Sequence, residues 1–256
     1  MTVTTDAAPG SQRADAIARL LAVAPDDVAG VLDLLRHLQP VLDSGPRGAE
    51  DGVACFNHLY ERITSEVLEQ LRDQDVFRDP EFAARLDVEF ARRYFTALRT
   101  EVTGGTPPRA WKVLFDRRED PDTGPMKLAV CGVNAHVNCD LAQAVVRTGT
   151  VLGRRELGSA EHHDYQAVNA VFALHLSRLR EHFQTWLGRE LDGAFLDSLL
   201  DGAASLTVVV ARDATWRRAE HLWGLRSRPA EYDRACEVID WRAAMMGRGV
   251  LSIGAL

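Results

Sequence analysis

The sequence predicts an all-α protein, a single multi-helix, bundle-like domain of roughly nine to ten helices. Three observations carry this. Apolar residues recur at three- and four-residue intervals through almost the whole chain, as on one face of a helix. The breaks between these runs carry helix-start chemistry, such as Asp79 followed by Pro80. No stretch shows the strict alternation of a half-buried strand. The chain of 256 residues is 46% hydrophobic and 26% charged, ordinary globular proportions. A chain of that length buries enough surface to fold without disulfide or metal.

Residues 1–13 read as a disordered tail, leaving 14–250 as the domain. Ile17, Leu20 and Leu21 mark a first helix from Ala14 to Val23. Asp26 and Asp27 cap a second helix, with Val28, Val31, Leu32, Leu35 and Leu38 on one face. The Gly45 to Gly48 stretch, which holds Pro46, ends it. A third helix starts near Asp51 and carries Phe56, Leu59, Tyr60, Ile63 and Val67. Asp79 and Pro80 open a fourth, through Phe82, Leu86, Phe90, Tyr94 and Leu98 to about Val102. A short helix holds Trp111, Leu114 and Phe115. Met126 to about Val146 reads as one long apolar helix, and Ala160 to Leu187 as another. Shorter helices are expected at about 190–203, 205–224 and 229–246. The three valines at 208–210 have strand propensity, but their flanks place them in a helix.

The net charge of −7, from 37 acidic and 30 basic residues, argues against a nucleic-acid or anionic-membrane surface. No segment has the apolar length of a membrane span or a signal peptide, so the expected location is the cytoplasm. The four cysteines (Cys55, Cys131, Cys139 and Cys236) form no CxxC pair and read as small buried hydrophobes. No glycine-rich nucleotide loop, HExxH or GxSxG is present, and no nucleotide cofactor is expected. Oligomeric state is not readable.

Four polar segments stand out where a bundle would bury carbon. In the 131–141 segment His136 and Asp140 are four apart on one helix face, with Gly132 a turn earlier. An ionisable pair inside a helical core is costly unless it is paired or ligates a metal. Three readings follow. Asp140 hydrogen-bonds His136 for packing, the two ligate a divalent metal with help from other helices, or Asp140 orients His136 for proton transfer. In the second segment, Glu161 suits a helix N-terminus, and Asp164, with His162 or His163, is a candidate to reach the first site. In the third, Asp87 lies one residue from the stripe of Leu86, Phe90 and Tyr94. It reads as part of a buried network with Arg93 and Tyr94, or as half of an ion pair between helices. In the fourth, Arg212 and Trp216 are four apart, spaced for a guanidinium over an indole.

Together these pieces resemble a bacterial family of uncharacterised proteins, the domain of unknown function 5995, from about Asp51 to Trp223. The resemblance is carried by Asp51–Tyr60, Leu86-Asp87-Val88, Arg93-Tyr94-Phe95, Pro108 with Trp111, Asn134–Asn138, Asp140-Leu141, Asp164 with Val168-Asn169, and Arg212 with Trp216. It implies an all-helical fold and adds no reaction. More loosely, Gly132, His136 and Asp140 resemble the Gly-x3-His-x3-Asp helix of zinc-dependent phospholipase C and related helical nucleases. With no second such motif, that likeness implies one or two metals held by His136, Asp140 and Asp164 with Asp87 or His163.

The leading expectation is an enzyme performing metal-assisted hydrolysis of a small molecule. His136, Asp140 and Asp164 are the catalytic candidates and, with Asp87 and His163, the metal ligands. Asn134, Asn138, Asn169, Arg93, Tyr94, Arg212 and Trp216 are the substrate-binding candidates. One alternative is a metal-free acid–base enzyme, a cyclase or isomerase, built on His136 and Asp140. The other is a non-catalytic binding or scaffold protein in which the polar residues fix helix register.

Overall fold

A computed structural model describes residues 9–73, 76–177, 185 and 203–252 of the chain. Among these residues the regular structure is entirely helical. The elements are α1 (Pro9–Leu20), α2 (Val28–Asp43), α3 (Gly52–Gln70), α4 (Pro80–Val102), α5 (Arg109–Phe115), α6 (Pro125–Ala135), a π-helical turn (His136–Asp140), α7 (Leu141–Val151), α8 (Ser159–Ser177), α9 (Ala203–Leu225) and α10 (Pro229–Ser252).

Local chemistry explains most of the starts. Asp27 Oδ1 accepts from the Gly30 amide at 2.7 Å and caps α2. Asp51 Oδ1 accepts from Val53 and Ala54 at the start of α3. Asp79 caps α4 through the Phe82 amide at 3.1 Å, with Pro80 in the first turn. Two expectations shift and a third holds. The first helix begins at Pro9, so residues 9–13 are helical and not tail. The long apolar helix is split at residues 136–140 and runs on to Val151. The 208–210 valines are helical, as read. The stretch of the long helix beyond Ser177 and the helix expected at about 190–203 fall outside the described residues, except at 185 and 203.

The rod formed by α6, the π turn and α7 is the centre of the packing. α3 lies on α6 and α4 on α7, while α10 covers α5 and α6 and α9 covers α7. Buried apolar side chains from Ile17 on α1 to Ala244 on α10 form one continuous cluster. Two glycines let α3 approach so closely. A Cβ on Gly132 would sit 2.5 Å from the Phe56 ring, and one on Gly52 would sit 2.8 Å from both Leu114 and Leu128. Those distances are well inside van der Waals contact, so neither site tolerates a side chain without movement.

Gly132→Ala therefore forces Phe56 off its seat, and we expect it to lower stability by about 1–3 kcal/mol in urea denaturation. Shrinking the opposing ring with Phe56→Leu should recover part of that loss in the double variant.

Candidate functional site

The π turn departs most from regular helix and carries the most chemistry. Its defining bond runs from the Leu141 amide to the His136 carbonyl, one residue longer than an α-helical bond. Five residues with no proline or glycine among them adopt it, so no breaker marks it in the sequence. The turn is buried at every position. Within it His136 Nδ1 lies 3.1 Å from Asp140 Oδ2, and the same oxygen accepts the Trp111 indole N–H at 2.8 Å. With Asp140 accepting, the imidazole proton sits on Nδ1, which makes Nε2 the basic nitrogen of the neutral ring.

Aromatic rings enclose His136. Its ring stacks on Phe90 with centroids 3.4 Å apart and planes within 6°. Tyr60 stands edge-on at 4.7 Å and Phe56 at 5.6 Å, with Trp111 at 5.8 Å. These rings come from α3, α4 and α5, whose apolar stripes the sequence shows; that they share one imidazole is a tertiary fact no stripe reveals.

Beside His136, Phe90 and Tyr60 the packing leaves a cavity. Phe56, Leu59, Tyr60, Ile63 and Val67 of α3 line one wall, and Val168 of α8 lines another. Tyr60, Asp87 and His136 are the polar groups of its described lining. It offers about 20 Å³ of free space, enough for a single water. Asp87 is 8% exposed, and its Oδ2 is buried without a hydrogen-bond partner. Burial pushes its carboxyl up from the ordinary 3.8 to about 7. The Tyr60 hydroxyl is pushed well up too, first by burial and then by the nearby charges of Asp87 and Asp140.

The other described candidates have partners of their own. Asp164 is fully buried, but its Oδ1 accepts from the Arg78 amide at 2.8 Å and its Oδ2 from the Asp79 amide at 2.6 Å. It holds the turn that starts α4, and His163 Nδ1 lies 3.0 Å from its Oδ1. With both oxygens so engaged, Asp164 and His163 form their own cluster and do not complete a site with His136. Nor does the network expected of Asp87, Arg93 and Tyr94 form. Tyr94 is fully buried and donates to Asn57 Oδ1 at 3.3 Å, and Arg93 donates to Gln143 at 2.8 Å. The ion pair expected of Asp87 is absent among the described residues.

Asn134 and Asn138 lie on the opposite face of the rod from His136 and Asp140. Asn134 donates to the Ala243 carbonyl of α10 at 2.8 Å, Asn138 donates to Asn134 at 3.2 Å, and Arg218 of α9 donates to Asn138 at 3.4 Å. They tie the rod to the C-terminal helices and do not face the cavity. Trp216 packs against Tyr165 and His162 and donates to Glu220 at 3.0 Å. The side chains of Arg212 and Asn169 lie outside the described part of the structure. The cysteines are free, and burial raises the thiols of Cys55, Cys131 and Cys139.

Among the described residues no three His, Cys, Asp or Glu side chains form a group able to hold a metal ion. The expected ligand set is divided: His136 and Asp140 hold each other and Trp111, Asp164 holds backbone, and Asp87 stands across the cavity from no second carboxylate. Among the same residues no helix is long and apolar enough to cross a membrane.

If Asp164 is a structural acceptor, Asp164→Ala strands two backbone N–H groups in a part-buried turn. We expect a loss of about 2–5 kcal/mol in chemical denaturation, with Asp164→Asn, which keeps one oxygen, falling between that variant and the unaltered protein.

No curated protein and no solved structure matches the chain, so the likeness to zinc-dependent phospholipase C rests on the Gly-x3-His-x3-Asp spacing alone, and Gly132 has a packing reason of its own in the Phe56 ring. One family model matches, over residues 28–253, which is most of the chain and every element from α2 to α10. The protein belongs to the family of unknown function DUF5995.

Proposed function

We propose that this protein takes a small, largely apolar molecule into the cavity between α3, α4, the π turn and α8, and exchanges a proton with it without a metal. The observation that supports this is that Asp87, one of whose carboxyl oxygens is buried without a partner, lines the same cavity as His136. An unpartnered polar atom in a core costs about 1–3 kcal/mol, and such costs gather at sites that act on something. Asp87 gains and loses its proton near neutrality, where a general acid–base group works best. His136 is the second proton-handling group, with its tautomer set by Asp140 and its plane set by Phe90.

Among the described residues a metal would find few open ligands. Asp140 Oδ2 already takes two donors and both Asp164 oxygens take backbone amides. The scaffold reading accounts for Asn134, Asn138, Tyr94 and Asp164, but not for a carboxyl left without a partner.

Thermal stability against pH tests the Asp87 half. The folded state holds the Asp87 proton up to about pH 7, whereas the unfolded chain releases it near 3.8. Between those values the folded form binds more protons, so stability falls as pH rises through the window and levels above it. Asp87→Asn should flatten that slope and raise stability at pH 8 by roughly 1–4 kcal/mol. Binding tests the rest. Toluene, benzyl alcohol and benzylamine are titrated by NMR into the protein, Asp87→Asn and His136→Gln. At least one should shift Val137 and Val168 resonances and lose affinity in the Asp87 variant. If none binds, or binding ignores both substitutions, the cavity is a packing defect and the reading fails.

A further inference from the structure

The walls of this cavity say what kind of molecule it suits, provided that it is the ligand site proposed above. We infer that its ligand is an organic amine, bound as the ammonium, with the charged nitrogen at Asp87 and an apolar body along the aliphatic side of the cavity.

Asp87 lines the cavity and is more than nine-tenths buried, and its Oδ2 is buried without a hydrogen-bond partner. Among the described residues no arginine or lysine lines the cavity, so a ligand can bring the cation that this lining lacks. Phe56, Tyr60 and Phe90 stand around the same space, and ring faces attract a desolvated ammonium. An anionic ligand meets the opposite field, since Asp87 lines the cavity and Asp140 stands behind His136. Leu59, Ile63, Val67, Val137 and Val168 supply surface for hydrocarbon and no hydrogen bonds from their side chains. The free space has room for one water, so a larger amine must push outward the aliphatic side, the part of the wall without interlocked rings.

The alternative is a neutral ligand that accepts a hydrogen bond from protonated Asp87, and pH separates the two. An ammonium needs the carboxylate, so its affinity grows as pH rises through neutrality. A neutral acceptor needs the acid and weakens over the same range. Among the described residues the other titrating groups in the lining are Tyr60 from α3 and His136 from the π turn, and the described lining residue of α8 is Val168. A charged imidazole would also repel an ammonium at low pH, so the profile is repeated in His136→Gln.

The experiment is titration calorimetry of the full chain with propylamine and benzylamine against propanol and benzyl alcohol, at pH 5.5 and 8. The inference expects each ammonium to bind about tenfold or more tightly than its alcohol at pH 8. It expects that preference to shrink at pH 5.5 in the protein and in His136→Gln alike, and to vanish in Asp87→Asn, whose melting temperature reports that it folds. If the alcohols bind as well as the amines and still depend on Asp87, the ligand class is wrong while the site stands. If neither series binds, the site itself fails. If ammonium binding survives Asp87→Asn, the charge is read elsewhere and the inference is overturned.

Discussion

One carboxylate oxygen organises the centre of this protein. Asp140 Oδ2 accepts from the Trp111 indole and from the His136 ring, and so joins α5 to the π turn at a depth where neither donor has water to turn to. Removing that oxygen would leave two buried N–H groups unmet, each costing about 1–3 kcal/mol. The bond also fixes which imidazole nitrogen is basic and how the ring lies on Phe90. The π-helical register serves it: an extra residue in the turn alters how successive side chains project, and such turns recur at functional positions.

The two faces of the rod divide the labour. On one, Asn134 and Asn138 hold α10 and α9 by amide bonds whose partners are all protein. On the other, the imidazole and Asp87 open on a shared space. The amides on the first face are satisfied, whereas on the second the Oδ2 of Asp87 has no hydrogen-bond partner. A satisfied buried amide is an ordinary structural device, and the proposed function rests on the contrast.

Much of the fold was legible in the sequence because its signals are local. The caps Asp27, Asp51 and Asp79 act on amides two or three residues away, so the starts of α2, α3 and α4 can be read directly. The π turn was not legible, since its residues have no distinguishing propensity and its geometry is imposed by packing. For the site, the i,i+4 spacing gave the His136–Asp140 pair correctly. Asp164 misled because a buried aspartate beside two histidines looks like ligand chemistry, while its real partners, two amides 85 and 86 residues away, leave no trace in composition. Asp87 and Tyr94 lie near the same stripe, yet one finds Asn57 within reach and the other finds nothing; only the arrangement of α3 against α4 decides between them.

The close seating of α3 on α6 has a consequence for shape. Phe56 lies where it does because position 132 lacks a methyl group, and Phe56 in turn is part of the wall around the imidazole. The outline of the chamber is thus inherited from an atom that is missing two helices away from its acid. Discrimination between guests of different girth would be tuned at a residue that never touches them, by the thickness of a single carbon.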